Sequence, residues 1–328
     1  MKFIGTSILL VILNFCLVFA APYYKQQDEK FNFWITTDYK ASIVGLRNTN
    51  LDDIVIPPYF VVDDKRYVVN EISSYAFYNT KIRSVKIGSN INNIEIQNYA
   101  FSKCSALKTF TIDSPKVTVG TRAFENSNPD MVIKGSGVPS FVKSFCTNLV
   151  KIWGFKVNKD YTNLTQYERK KDLFTLAKEL NKYVTFSGNA DQGNAAVALA
   201  LRHASWGGIA RAYYQLALAI GIKDTEVLIG GDYNVSAWNY VKVDGKWYNV
   251  DVARFDFNTY KSYTNTFFYT KVTFGQFLNA KQPTGKFNEA PARWVVCRDV
   301  IHYQGEPPYN DVIYLDNYLR NFNLGSRA

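Results

Sequence analysis

The sequence predicts an α+β protein with two domains, a short solenoid of stacked repeats followed by helices and an antiparallel sheet. Three observations lead to this fold class. An Ala-Phe pair recurs in the first half at spacings of 24 and 23 residues. Beyond about residue 166, apolar residues follow helical spacing instead. Two aromatic and β-branched runs then flank Asp244-Gly245, a dipeptide that favours the tight turn of a β-hairpin.

The N-terminal segment has the pattern of a secretory signal peptide, expected over residues 1–20. Lys2 precedes an apolar run from Ile8 to Phe19, and Ala20 and Ala21 supply small residues for cleavage. The run is too short to cross a bilayer, and no later segment is long and apolar enough to do so. We therefore expect the mature protein to be secreted, or held at a cell surface by non-covalent contacts.

The charge of the chain limits the classes of partner. The formal net charge is +10, and the basic residues are scattered, with Arg169-Lys170-Lys171 as the densest group. No stripe of basic residues alternates with stacking aromatic residues, a pattern that nucleic-acid binding would favour. Export and positive charge together favour an extracellular protein, an anionic glycan or an acidic surface over nucleic acid.

The cysteine and histidine content argues against a metal site or a cofactor. The chain has four cysteines and two histidines, without a CxxC motif or a Cys/His cluster. Cys16 lies in the signal segment. Three cysteines remain in the mature chain: Cys104, Cys146 and Cys297. Because three is an odd number, at least one of them is free or pairs between chains.

Each repeat unit combines the Ala-Phe pair with a polar turn and a short β run. The pairs are Ala76-Phe77, Ala100-Phe101 and Ala123-Phe124, and the runs are Ser84–Ile87, Thr109–Ile112 and Met131–Ile133. A single unit cannot bury its apolar face, whereas stacked units can. We expect Asp53–Pro57 and Tyr67–Ile72 to form an earlier, degenerate unit, and Val138–Phe145 to form a capping helix.

This repeat pattern resembles BspA-type leucine-rich repeats. Its parts are the dipeptide Ile-Pro, a Val-x-x-Ile segment, the Ala-Phe pair, a polar turn, the segment Cys104-Ser105-x-Leu107 and the dipeptide Thr-Ile. The pattern defines a domain over residues 31–155. In that family such solenoids occur on secreted and surface proteins and are associated with adhesion. The resemblance therefore implies binding rather than catalysis, through exposed polar positions of the strand face.

The second half predicts three helices followed by an antiparallel sheet. Apolar residues at helical spacing are Leu173, Leu176, Leu180 and Tyr183, and then Ala196, Leu199 and Leu201. A third helix is expected within residues 203–222, ending at Gly221, and a strand over Thr225–Ile229. In the hairpin that follows, Val243 should face Lys246 and Val241 should face Tyr248. Ser236, Trp238 and Asp251 should then share one face of the sheet.

This order of elements resembles the transglutaminase-like core of the papain-type thiol enzymes, over residues 166–280. The matching residues are Ala237-Trp238-Asn239, Val241, Asp244-Gly245, Trp247-Tyr248 and Val250-Asp251. In that family a cysteine begins the central helix, and two strands supply a histidine and an aspartate. The helix terminus and the imidazole lower the thiol pKa, and the aspartate orients the imidazole. Here Trp206 and Ser236 occupy the cysteine and histidine positions, so only Asp251 is retained and no catalysis is expected.

Three classes of function remain open. The first is a secreted or surface binding and adhesion protein, whose inactive cleft persists as a groove lined by Trp206, Trp238, Trp247 and Asp251. The second is a hydrolase or acyltransferase acting on peptides through Ser205 and Asp251, although His203 comes from the wrong element to serve as the base. The third is a structural component of an extracellular matrix or wall. The sequence predicts no oligomeric state.

Two further features complete the sequence pattern. Sequons at Asn163-Leu164-Thr165 and Asn234-Val235-Ser236 predict N-glycosylation, and a glycan on Asn234 would obstruct the mouth of the cleft. Residues 281–328 form an extension expected to pack on the second domain. The extension predicts a strand within Ala292–Asp299 and a short helix over Asn310–Phe322.

Overall fold

The computed structural model describes residues 24–187, 193–231, 237–243, 246–250, 252–253, 255–256, 261–262 and 295–297. The first half is a solenoid with two sheets. The strands of the first sheet, in spatial order, are β1 (Tyr24–Gln27), β2 (Phe31–Ile35), β3 (Lys40–Leu46), β6 (Lys65–Ile72), β8 (Asn93–Ile96) and β10 (Lys116–Val119), and β5 (Tyr59–Val62) pairs with β6. The strands of the second sheet are β4 (Asp53–Ile56), β7 (Ser84–Ile87), β9 (Thr109–Ile112) and β11 (Val132–Lys134), all parallel.

Two of the three repeats contain two strands, β7 with β8 and β9 with β10, whereas the sequence predicted one strand and a compact turn per repeat. The VxxI segment forms a strand of its own, as in β8, where Ile94 and Ile96 are buried and Asn93 and Glu95 are exposed. The expected degenerate unit is confirmed, because β4 pairs with β7 and β6 pairs with β8. The apolar positions of both sheets point into one core between them.

A column of stacked phenylalanine rings runs through this core. Phe77 stacks on Phe101 with a centroid distance of 4.9 Å, and Phe101 stacks on Phe124 at 5.4 Å. Phe110 meets both Phe101 and Phe124 edge to face at 4.9 Å. Phe77, Phe101 and Phe124 come from the Ala-Phe pairs, which explains why the pairs recur once per turn of the solenoid, and Phe110 comes from β9. The Cys104 Sγ donates to the Phe77 carbonyl oxygen beside the column at 2.9 Å.

Helix α1 (Val138–Ile152) closes the solenoid, as the sequence predicted, and extends beyond the expected Phe145. One stripe of α1 bonds to the free backbone edge of β10. Ser140 Oγ and Ser144 Oγ accept the N–H groups of Val117 and Val119 at 2.8 and 3.0 Å, and Asn148 Nδ2 donates to the Val119 carbonyl oxygen at 2.9 Å. The helix thus satisfies backbone groups that an open sheet edge would leave unpaired.

The second half places three helices before an antiparallel sheet, as predicted. The helices are α2 (Gln166–Tyr183), α3 (Ala195–Leu201) and α4 (Trp206–Ile220). The sheet has the order β16 (Lys246–Val250), β15 (Ala237–Val243), β14 (Val227–Gly231) and β19 (Val295–Cys297). Short pairs are formed by β12 (Thr185–Phe186) with β13 (His203–Ala204), and by β17 (Phe255–Asp256) with β18 (Lys261–Ser262).

The predicted hairpin register is confirmed, because Val243 pairs with Lys246 and Val241 with Tyr248. Helix α4 ends at Gly221 as expected, where φ is +109°. It begins at Trp206, the residue assigned to the cysteine position, and His203 lies before it in β13, which pairs with β12. The helix expected over residues 310–322 lies outside the described residues.

The two halves meet through direct contacts around α1. The Asn158 and Lys159 N–H groups donate to the Ala219 and Ile220 carbonyl oxygens at the end of α4, at 2.9 and 2.8 Å. A ring contact of 5.6 Å joins Trp153, which ends α1, to Tyr183, which ends α2. The buried apolar residues of both halves belong to one continuous cluster. Among the described helices, none has the length and apolar character needed to span a membrane.

Candidate functional site

The amino-terminal end of α4 carries two of the residues singled out in the sequence. Ser205 is the N-cap residue, with extended backbone (φ −73°, ψ 173°), and its hydroxyl makes no capping hydrogen bond. Trp206 begins the helix, and its ring lies 4.7 Å from the Phe186 ring of β12. His203 lies three residues before Trp206, in β13. The positive end of the α4 dipole therefore faces the region where the sequence placed the degenerate triad.

A cleft of about 270 Å³ opens beside this helix end. Its lining consists of Asn181, Lys182, Val184, Thr185, Phe186, Ile209, Val252 and Ala253. The Asn181 side-chain amide donates to the Val252 carbonyl oxygen at 2.7 Å, which holds the end of α2 against the chain that follows residue 251. The first turn of α4 and the segment after the retained aspartate position therefore border one cleft.

The start of β15 is fixed against α4. The Asn239 side chain is fully buried, and its amide donates to the Ala210 carbonyl oxygen at 2.9 Å. Trp238 is 1% exposed, so its indole lies in the core and not on a groove wall. This burial corrects the expectation that Trp238 lines a binding groove. Successive side chains of a strand point to opposite faces, so Trp238 lies on the face of β15 opposite to the one on which Asn239 bonds to α4.

The remaining predicted site residues lie outside the described residues or are described in backbone only. Ser236, Asp251 and Asn234 fall outside the described residues, and Trp247 belongs to β16 without a described side chain. Asn163 is exposed in the turn before α2. The sequon residue Thr165 is the N-cap of that helix and accepts the Glu168 N–H at 3.2 Å.

Two cysteines have described side chains, and both thiols lie in the interior of the solenoid. Cys104 and Cys146 are free and buried, and burial raises the pKa of both thiols, which disfavours the reactive thiolate. Within the described part of the chain, no three His, Cys, Asp or Glu side chains converge to hold a metal ion.

The solenoid carries a second candidate surface, which the sequence did not reveal. We name it the tyrosine stripe, and its members are Tyr75, Tyr78, Tyr99, Lys103 and Arg122. Tyr75 stacks on Tyr99 with a centroid distance of 5.0 Å and an interplanar angle of 10°. Tyr78 meets Tyr75 edge to face at 5.6 Å. The cations lie at the two ends, Lys103 at 5.3 Å from the Tyr78 ring and Arg122 at 5.8 Å from the Tyr99 ring.

A polar cleft of about 360 Å³ adjoins the stripe, between the first sheet and the end of α1. Its lining consists of Glu95, Gln97, Asn98, Thr118, Val119, Gly120, Thr121, Asn148, Lys151 and Ile152. The two features meet at one corner, where the Asn98 Oδ1 accepts the Arg122 N–H at 3.1 Å. The only sequence signal was the residue before each Ala-Phe pair, which is Tyr, Tyr and then Arg.

Comparisons with known proteins concern the repeats. Residues 62–167 match the family described as BspA type Leucine rich repeat region, in six copies. No curated protein matches the chain.

Solved structures with similarity include a leucine rich cell surface protein from Faecalibacterium prausnitzii, 28% identical over 33% of this chain and 31% of its own, with a TM-score of 0.29. A leucine-rich repeat protein from Bacteroides capillosus is 20% identical over 32% of this chain and 87% of its own, with a TM-score of 0.23. A leucine-rich repeat protein from Bacteroides ovatus is 19% identical over 35% of this chain and 38% of its own, with a TM-score of 0.24. The chain thus spans about a third of the length of the first of these proteins.

The family match coincides with the region in which the structure has repeated pairs of parallel strands around a phenylalanine column. Residues 62–167 therefore form a BspA-type leucine-rich repeat solenoid.

Proposed function

We propose that the chain is a secreted or surface-associated binding protein of the adhesion type, in which the solenoid recognises the partner. The observation that carries this proposal is the six-copy repeat region of residues 62–167. The F. prausnitzii protein with similarity is described as a cell surface protein. Repeat solenoids offer long exposed surfaces, and here the outward strand positions, such as Lys86 and Glu95, are polar and exposed.

We further propose that the second half is a transglutaminase-like domain without catalysis. Support comes from the order of α2, α3, α4 and the antiparallel sheet, and from the hydrogen bond between Asn239 and Ala210 that holds β15 on α4. The position that would carry the thiol is Trp206, and its indole packs on Phe186. An indole has no ionisable nucleophile, so this helix end cannot perform thiol chemistry.

The alternative is a hydrolase or acyltransferase that uses Ser205. One observation favours it, namely the Ser205 hydroxyl without a capping bond at the amino end of α4, beside the cleft of about 270 Å³. A serine hydroxyl needs a general base, and Asp251 would supply only the orienting carboxylate of the family arrangement.

The binding role is tested with the labelled full chain on intact cultured cells and on decellularised extracellular matrix at physiological salt. We expect saturable binding that unlabelled protein displaces. Binding that never saturates, or self-assembly into insoluble material, would favour the structural class instead.

The loss of catalysis is tested by assaying peptide cleavage, glutamine deamidation and amine incorporation. We expect the parent chain to be inactive and the Trp206→Cys, Ser236→His double variant to gain slight thiol-dependent activity. Turnover by the parent that disappears in Ser205→Ala would establish the serine alternative. A double variant that folds normally and stays inactive would count against the transglutaminase-like assignment.

A further inference from the structure

The two central tyrosines of the stripe adopt a strained backbone conformation. Tyr75 and Tyr99 have φ of +63° and +64°, in the left-handed region. This region costs a residue with a side chain about 1–2 kcal/mol, whereas glycine, and to a lesser degree asparagine, adopts it readily. The turn alone would therefore favour glycine or asparagine at both positions.

The hydrophobic core does not account for these tyrosines. Tyr75 is 56% exposed and Tyr99 is half-buried, and neither ring belongs to the buried cluster, which receives the Ala-Phe pair that follows each of them. Backbone strain that persists outside the hydrophobic core points to a function. The stacked pair is therefore a surface feature kept for contact with something outside the chain.

The electrostatics of the stripe favour an anion. Because Tyr75 and Tyr99 cover each other's faces, they present their ring edges, which carry the positive part of the ring quadrupole. Arg122 Nη1 donates to Tyr99 Oη at 2.5 Å, which leaves the phenolic hydrogen to donate to another acceptor. Lys103 and Arg122 are themselves exposed, so two full charges flank the hydroxyls.

The adjoining cleft indicates what kind of anion fits. Its polar lining consists of the side-chain amides of Gln97, Asn98 and Asn148, two threonine hydroxyl groups, the Glu95 carboxylate and the Lys151 ammonium group, beside Val119, Gly120 and Ile152. Such groups donate to and accept from hydroxyl groups. A peptide ligand would instead need a buried apolar or aromatic anchor, which is the usual centre of a protein interface. The stripe therefore favours anionic groups and the cleft favours hydroxyl groups, and an acidic polysaccharide carries both.

We propose that the tyrosine stripe and its adjoining cleft bind an acidic polysaccharide. Its carboxylate or sulfate groups contact the Tyr99 hydroxyl, Lys103 and Arg122, and its sugar hydroxyls enter the cleft at Asn98. Successive groups of the stripe are spaced by 5.0 to 5.8 Å, so a linear chain can follow it over several contacts. The proposal rests on the binding function proposed above and names its ligand class.

The test measures binding of the full chain to heparin, hyaluronan, neutral dextran and polyglutamate. The key variant is Tyr75→Asn, Tyr99→Asn, since asparagine tolerates the left-handed conformation and leaves the fold intact. We expect about tenfold or greater weakening of binding to heparin or hyaluronan, the loss typical of a central contact. The thermal unfolding midpoint should be unchanged or higher.

A matched control is Tyr39→Asn. Tyr39 is also exposed, with φ of +60°, but it precedes β3, whereas Tyr75 follows the end of β6, which runs parallel to β3. The two tyrosines thus lie at opposite ends of the strands. At its single position, Tyr39→Asn makes the same chemical change and relieves the same kind of backbone strain. Because Tyr39 lies away from the stripe, we expect this variant to leave polysaccharide binding unchanged.

Each outcome decides the proposal. Binding of heparin alone assigns the anion as sulfate, and binding of hyaluronan as well assigns carboxylate. No binding of either, equal loss in Tyr39→Asn, or equal affinity for dextran or polyglutamate would overturn the inference. If the chain binds cells but heparin and hyaluronan do not compete, this inference fails while the proposed binding function stands. If the chain does not bind cells or matrix, the proposed function fails.

Discussion

Replacing Phe101 by alanine should destabilise the solenoid more than any change at an exposed ring. Phe101 is fully buried and contacts three rings, Phe77 at 4.9 Å, Phe124 at 5.4 Å and Phe110 at 4.9 Å. Truncation of a buried phenylalanine costs about 3–5 kcal/mol. That range includes the lost ring contacts, each worth about 0.5–1.5 kcal/mol, so three such contacts place Phe101 at its upper end, with an expected loss in the free energy of unfolding of about 5 kcal/mol.

The assay is urea unfolding of the full chain, followed by far-ultraviolet circular dichroism and tryptophan fluorescence. Phe101→Leu keeps most of the apolar volume and removes the ring contacts, so it should cost about 1–3 kcal/mol. Phe186→Ala is the control, since this ring is 41% exposed, and it should cost at most about 1 kcal/mol. If Phe101→Ala and Phe186→Ala had equal effects, the phenylalanine column would not be the main support of the repeats.

Three further outcomes can be checked. Gly221→Ala should cost about 2 kcal/mol or more by urea unfolding, because φ is +109° and an added Cβ would lie 2.2 Å from the Lys159 carbonyl oxygen. Thr165→Ala should cost about 1 kcal/mol through loss of the cap and should also abolish the part of the mass shift on deglycosylation that comes from Asn163, whereas Asn163→Gln should abolish only that part of the shift. The hydrogen bond from the Thr165 hydroxyl lowers the pKa of the Glu168 carboxyl. The stability that this bond contributes is therefore present above the ordinary glutamate pKa and is lost as the pH falls through the lowered pKa. Thr165→Ala should reduce this loss of stability in acid.

The repeat architecture was predictable because it depends on periodic apolar residues. The Ala-Phe pairs recur once per unit. Gly221 predicts the carboxyl-terminal end of α4, and Asp244-Gly245 predicts the turn of the hairpin. The second strand of each unit was not recognised, because four residues such as Asn93–Ile96 give only two alternations. Local pattern cannot distinguish so short a strand from part of a turn.

The surfaces were less predictable because they depend on contacts between distant residues. The pairing of β13 with β12, which places His203 in a strand, has no local signal. The burial of Trp238, on the face of β15 opposite to Asn239, depends on tertiary packing that a local pattern does not report. The tyrosine stripe brings together rings from separate repeats whose residues Tyr75 and Tyr99 have positive φ, and sequence periodicity does not report a backbone conformation of this kind.

The bonding of α1 to the edge of β10 has a consequence for how such a chain can evolve. Within the first sheet, α1 bonds through Ser140, Ser144 and Asn148 to the edge strand β10. A new repeat added after β10 would separate these side chains from their backbone partners. A unit of 23 or 24 residues inserted earlier, between β6 and β10, would leave both ends unchanged. Each insertion would move α1 and the packed second half away from the first strands by one strand spacing, about 4.8 Å. The number of repeats thus sets the distance between the first strands and the second half in steps of one strand spacing.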